Sequence, residues 1–281
     1  MIDAHQHLLN PDRFDYPWLA HAPQLTGTYG IEQYRAATAD CSFQSSIVVE
    51  GDVALEQQEA EAHELYATAE ISTNRILGVI AACRPQEDSF EDYLARIAHP
   101  KLVGLRCVLH VAENEVSQSQ YFRHNIALLA DYNLCFDLCV RADQLPLAID
   151  LVRVTPNTHF VLDHCGNPPL EQESAMQSWR EDIARLSHLH NVSCKVSGLV
   201  NHLSGNHHLV EKLRPILEHV AAHFGWDRLL FGGDWPVCLL ANTDLQRWTQ
   251  TAAELLDSQS EETRAAFFSA NATRIYGLNG I

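Results

Sequence analysis

The chain holds eight cysteines (Cys41, Cys83, Cys107, Cys135, Cys139, Cys165, Cys194 and Cys238) and no Cys-x-x-Cys pair. Several of these thiols sit in apolar, strand-like runs, where a free thiol behaves as a small hydrophobe, and a disulfide framework is not expected. No apolar run reaches the ~18 residues of a membrane span. The opening Met1-Ile2-Asp3-Ala4-His5 has neither a basic stretch nor an apolar stretch of the signal-peptide kind. The expectation is therefore a cytoplasmic protein without a membrane partner. Cations are scarce, with 19 Lys and Arg against 36 Asp and Glu and a net charge of −17. A nucleic-acid partner, which needs clustered Lys and Arg, is not expected. The acidic surplus reads as solubility, with stretches such as 56–61 as solvated helix faces. Nothing in one sequence reads out oligomeric state.

No Gly/Ser linker or low-complexity tract divides the chain. Its 281 residues exceed a common domain but suit one α/β barrel of about 250. Short β-prone runs recur about every 30 residues, at 2–8, 45–50, 76–81, 102–107, 134–140, 159–164, 192–197 and 228–234. Most are apolar without strict alternation, as expected of parallel strands covered on both faces. Amphipathic helices fill the gaps: Val210, Leu213, Leu217, Val220 and Phe224 fall three and four apart, as do Trp179, Ile183, Leu186 and Leu189. Eight such alternations predict a (β/α)₈ TIM barrel as a single domain over 1–281, with a doubly wound sheet as the competing α/β arrangement. Residues 10–30, with Tyr16-Pro17-Trp18, form a long first βα-loop. It reads as a binding loop or as a loop packed down by its own aromatics.

Polar residues fall where the strands end. His5 and His7 close the first strand, Glu50 the second, Arg106 the fourth, Asp163 and His164 the sixth, and Asp234 and Trp235 the eighth. Asp137 lies on the fifth, with Arg141 beyond it, and Lys195 and Ser197 lie on the seventh. In a barrel these carboxyl ends share one mouth, where active sites of this fold sit. Residues i and i+2 of a strand face one side, so His5 and His7 suit two ligands of one divalent ion or two donors to one substrate oxygen. Asp234 follows Gly232-Gly233, which permit close approach. It reads as a general base and metal ligand, or as a helix cap. His164 suits carbonyl polarisation or proton transfer, or a buried pair with Asp163. Arg106 suits an anion or a carbonyl, or an ion pair with Glu50. Trp18, Glu50, Arg84, His110, Lys195 and Trp235 are the candidate substrate contacts. Arg84, Arg106, Arg141 and Lys195 suit an anionic substrate, whereas a neutral one needs fewer cations.

These residues together resemble the amidohydrolase superfamily, within it the Amidohydrolase-2 type lactonases. The branch is that of L-fuconolactonase, L-rhamnonolactonase and the pyrone-dicarboxylate lactonase. The motifs are Ile2-Asp3-Ala4-His5-Gln6-His7, Tyr16-Pro17-Trp18-Leu19, Val103-Gly104-Leu105-Arg106, Leu162-Asp163-His164-Cys165-Gly166-Asn167-Pro168, Lys195-Val196-Ser197-Gly198-Leu199 and Phe231-Gly232-Gly233-Asp234-Trp235-Pro236. The resemblance implies a hydrolase that opens a lactone, foremost a sugar-acid (aldono)lactone, as its small-molecule partner. The alternative is a metal-dependent amidohydrolase or decarboxylase of the same superfamily. It implies that Asp234 activates water, that His5, His7 and His164 surround a carbonyl or a metal, and that Arg106 assists the carbonyl. Binuclear members carry a Lys or Glu at the end of strand 4 and a His on strand 5. This chain has Arg106 and Asp137 there, which implies one divalent metal, foremost zinc, on His5, His7 and Asp234, or none. Departures at Val108-Leu109-His110 and Ala81-Ala82-Cys83-Arg84 leave the particular lactone open.

Overall fold

The computed structural model describes residues 1–203 and 207–278. All eight expected strands are present: β1 (Ile2–Gln6), β2 (Ser45–Val49), β3 (Ile76–Ala82), β4 (Leu102–Val108), β5 (Cys135–Cys139), β6 (Phe160–Leu162), β7 (Val192–Val196) and β8 (Leu229–Phe231). They pair in parallel in sequence order from β1 to β8. Barrel closure falls at the β8–β1 seam, beyond the end of β8. There Asp234 N–H donates to His5 O (2.6 Å) and His7 N–H donates to Trp235 O (2.7 Å). The seam therefore ties together the two chain segments that carry His5, His7 and Asp234.

β1 ends at Gln6, short of 8, and two further strands stop early for a physical reason. β6 ends at Leu162 and β8 at Phe231, short of 164 and 234. His164 (φ 54°), Cys165 (φ 52°) and Asp234 (φ 53°) adopt the left-handed conformation, which breaks a strand and re-aims the side chain. Such residues cost about 1–3 kcal/mol each and gather at functional sites. β1 also carries a register irregularity between Asp3 and Gln6, next to His5.

Helices follow the strands, among them Leu145–Val154 after β5, Glu173–Ser187 after β6, Leu209–Phe224 after β7 and Leu245–Leu255 after β8. The expected apolar faces are buried at Trp179, Ile183, Leu186, Leu213, Leu217, Val220 and Phe224, with Leu189 and Val210 partly buried against the same core. Inside the barrel, Ile47, Val49, Ile80, Val161 and Leu230 cluster with Ile275 and Tyr276 from the C-terminal segment. That segment plugs the end opposite the mouth, where Cys135 Sγ meets Ile275 O at 3.3 Å.

The first loop is packed down by its own aromatics and also reaches the mouth. Phe14, Tyr16, Leu19, Ala22 and Leu25 bury themselves with Leu9 and Val53 in a separate apolar cluster. Trp18 meanwhile donates its indole N–H to Gly51 O (2.8 Å) and lines the mouth. All eight cysteines are free. The acidic stretch 56–61 is not wholly a solvated face. Glu61 is buried, accepts the Gly51 N–H at 2.8 Å, and burial pushes its pKa well up. No helix among the described residues is long and apolar enough to cross a membrane.

Candidate active site

A cavity of about 710 Å³ opens at the carboxyl ends of the strands. Asp234, His7, His164 and Arg106 line it, and His5 is buried against Asp234. Asp234 Oδ1 lies 3.7 Å from His5 Nε2 and 3.6 Å from His7 Nε2. Its other oxygen accepts an N–H from Asn201 at 3.0 Å. No helix cap is made by this side chain; the turn that follows it is capped at Pro236 without a side-chain bond. Burial alone would raise the Asp234 pKa, but His164, His7 and His5 outweigh it and hold it at about 2. Asp234 is therefore an ionised acceptor throughout the neutral range.

The supports of this centre explain the local sequence. Asp3 accepts backbone N–H groups from Gly233 (2.7 Å) and His5 (3.0 Å), and the Tyr34 hydroxyl donates to it at 2.9 Å. A side chain at Gly233 would place its Cβ 2.5 Å from the Asp3 carboxylate, and one at Gly232 would meet His5 Cβ at 2.7 Å. The two glycines thus serve close packing of β1 against β8. His7 Nδ1 lies 2.8 Å from Glu50 O, which orients the ring with Nε2 towards Asp234. Such a backbone acceptor is the usual partner of a metal-ligating imidazole.

The geometry fits a divalent ion. The facing atoms of His5, His7 and Asp234 all lie within 4.8 Å of one another. Ligands about 2.1 Å from one tetrahedral centre stand roughly 3.4–3.6 Å apart, close to the 3.6 and 3.7 Å observed. Two imidazole nitrogens and one carboxylate oxygen form a donor set that can bind a metal.

His164 is held differently from the sequence expectation. It pairs through Nδ1 with Ser197 Oγ (2.9 Å), not with Asp163. Asp163 turns inward and meets His5 Nδ1 (3.3 Å), Lys195 Nζ (3.1 Å) and Arg106 Nη1 (3.7 Å). Burial opposes its charge, but Lys195 and His5 hold its pKa well below the carboxylate range. Gly198 explains the placement of His164. With φ at +63°, an added Cβ would sit 2.5 Å from His164 Nδ1. Gly198→Ala should displace the ring and lower kcat/KM at least about tenfold while costing roughly 1–2 kcal/mol of stability. Steady-state kinetics beside urea unfolding would check this; unchanged kinetics would show that His164 placement is not critical.

Arg106 makes the expected ion pair, with Nε 2.5 Å from Glu50 Oε1 and Nη2 donating to Glu50 O at 2.9 Å. It still lines the cavity, and its Nη1 lies 3.5 Å from His5 Nε2. Glu50 itself is bound up with Arg106 and the Asp52 N–H rather than lining the cavity. Three other candidate contacts lie elsewhere. Arg84 pairs with Glu87 at 2.6 Å and lines a separate groove. Lys195 is fully buried below the cavity, ion-paired to Asp137 and Asp163. Trp235 turns away beside Asp234 and packs edge-on against Tyr29 and Tyr34. Trp18 and His110 do line the cavity. Sequence reading missed Asn201, His202, Asn167 and Asp52, which also line it. Asn201 and His202 follow Ser197-Gly198, and that glycine was the available signal of a turn at the mouth.

Fold and site together define a (β/α)₈-barrel hydrolase with a His-x-His and carboxylate centre at its mouth. Comparison with known proteins narrows this: the amidohydrolase family profile matches residues 2–278, and the chain belongs to that family. It is 28% identical over 299 residues to an L-fucono-1,5-lactonase of Burkholderia multivorans, covering 99% of this chain and 96% of that one. An L-fucono-1,5-lactonase of Burkholderia ambifaria is 26% identical over 287 residues with the same coverage. A crystal structure of a Burkholderia multivorans amidohydrolase with bound zinc superposes with a TM-score of 0.90. It is 27% identical, and the match covers 98% of both chains.

Proposed function

We propose that this protein hydrolyses the ring ester of a neutral sugar-acid lactone, with Asp234 as the base that takes the proton of the attacking water. The observation that carries this reading is the ionised Asp234 carboxylate, set between two imidazoles at the floor of a roomy, largely apolar cavity. Likeness over nearly the full chain to two proteins named L-fucono-1,5-lactonase supports it. Water adds to the carbonyl carbon and its proton passes to Asp234. The ring C–O bond breaks, and the same proton goes to the leaving alkoxide, giving a hydroxy acid. Asn201 steadies the Asp234 oxygen that faces away from the histidines. Arg106 and His164 stand at the same floor as candidate donors to the carbonyl oxygen. His5, His7 and Asp234 would hold a zinc ion, the metal bound by the similar amidohydrolase. When bound, it supplies a Lewis acid that polarises the ester carbonyl.

The charge layout supports a neutral substrate. Arg141 is engaged by Asp143 through two nitrogens, at 2.9 and 3.2 Å. Arg106 is engaged by Glu50 and Asp163. Arg84 and Lys195 do not reach the cavity. Every guanidinium among the described cavity residues thus carries its own carboxylate, and Asp52 and Asp234 add negative charge. A substrate bearing carboxylates finds no unmatched cation there, whereas a neutral polyhydroxylated one needs none. Rates on a panel of neutral aldonolactones and of lactone dicarboxylates would test this. We expect turnover of a neutral member and at least about a hundredfold lower kcat/KM for dicarboxylates, given the cost of burying unpaired charge. The reverse order would overturn the neutral-substrate reading.

A further inference from the structure

Beyond Asp234 and its neighbours, the cavity wall holds a second pair with a defined geometry. His110, in the turn Leu109–Val111 after β4, and Cys139, the last residue of β5, both line the cavity. His110 Nδ1 lies 3.1 Å from Cys139 Sγ. The His110 backbone is fixed separately, because Arg141 Nη1 donates to its carbonyl at 2.6 Å. The geometry points to His110 as a neutral hydrogen-bond donor that reads an acceptor oxygen of the substrate through Nε2–H, with Cys139 as the positioning residue that fixes this tautomer.

The reasoning concerns where each proton goes. Cys139 is buried, and burial pushes its thiol pKa up despite Arg106, so sulfur keeps its hydrogen. A thiol is a weak donor and a weak acceptor, whereas the lone pair of a neutral imidazole nitrogen is a good acceptor, which favours S–H donating to Nδ1. Among the described residues its one hydrogen-bond partner is His110 Nδ1. If S–H donates to Nδ1, the imidazole proton must sit on Nε2. Burial and the charges of Arg106, His164 and Arg141 lower the His110 pKa to about 4, so the ring is neutral at pH 7. A neutral ring with Nδ1 occupied leaves Nε2–H for the cavity. It donates to a hydroxyl, ring or carbonyl oxygen without adding charge to a wall whose cations are already matched. A neutral sugar-acid lactone offers such oxygens in its hydroxyls, its ring oxygen and its carbonyl. The substrate half of this inference rests on the lactonase reading; the tautomer rests on the His110–Cys139 contact together with a neutral thiol and ring.

The test has two arms. Imidazole nitrogen NMR of the full chain at pH 7 should show His110 as the Nε2–H tautomer, with mixing of tautomers in Cys139→Ala. Kinetics on the best-hydrolysed lactone should show His110→Leu raising KM at least about tenfold with kcat changed less than threefold, the signature of a lost binding contact. His110→Gln, whose amide N–H falls near Nε2, should recover most of that loss. His110→Asn, whose amide falls near Nδ1, should not. Circular dichroism would verify folding of each variant, and the wild-type spectrum stands even if Cys139→Ala does not fold. An Nδ1–H or doubly protonated ring in the wild type overturns the inference. So does an unchanged KM in His110→Leu on every lactone hydrolysed. Absence of turnover on all lactones would instead sink the lactonase reading, and the NMR spectrum would then decide the His110 tautomer by itself.

Discussion

Asp234→Asn should lower kcat by at least about a thousandfold while the protein stays folded. The change is nearly isosteric, and Asn tolerates the left-handed backbone that residue 234 adopts (φ 53°). The seam bond from residue 234 N–H to His5 O is a backbone bond and survives. What is lost is the ionised oxygen facing His5 and His7. An amide cannot take a proton from water, and it is a poor ligand for zinc. Zinc content, where the wild type carries it, should fall together with rate, and thermal unfolding should move by only a few degrees. Activity within tenfold of wild type would show that another group is the base.

Lys195→Met should cost about 3–5 kcal/mol of stability, the usual consequence of removing one partner from a buried ion cluster. Lys195 is fully buried between Asp137 and Asp163, and its ammonium also lies 3.1 Å from His5 Nδ1. Burial works against its charge, but Asp137 and Asp163 outweigh it and raise its pKa. Tyr276, in the C-terminal plug, donates to the far oxygen of Asp137 at 2.9 Å. Methionine fills the volume but leaves Asp137 without its cation and Asp163 with Arg106 alone, at 3.7 Å. Urea unfolding would measure the loss. A double-mutant cycle with Asp137→Asn should return part of it, because the two changes share one network. A loss below about 1 kcal/mol would mean that the cluster relaxes or protonates without penalty.

The fold was legible because parallel strands repeat as apolar runs and helices as faces of period 3.6, and both patterns survive in a sequence read alone. The first and last strands were the most informative. His5 and His7 share a face by the period of two, and Gly232-Gly233 announced close packing before Asp234. Other placements were not legible because a strand-end position gives height along the barrel but not depth or rotation. Lys195 lies a layer below the mouth, where its charge holds Asp163 and His5. Trp235 follows a left-handed residue, which rotates it outward onto Tyr29 and Tyr34. Arg84 turns back to Glu87. Asn201 lies in a turn, where no periodicity marks a functional side chain. The exchange of partners between Asp163 and His164 follows from their backbone, since the left-handed φ at His164 points neighbouring side chains apart.

The most direct test is the initial rate of acid release from L-fucono-1,5-lactone, followed at constant pH, for wild type and Asp234→Asn at equal concentration. Other neutral aldonolactones would be run alongside. The expected result is rapid release by the wild type on at least one of these lactones, with the variant near the spontaneous rate. Equal rates for the two proteins, or no release above background from any of these lactones by zinc-supplemented wild type, would contradict lactone hydrolysis at this site.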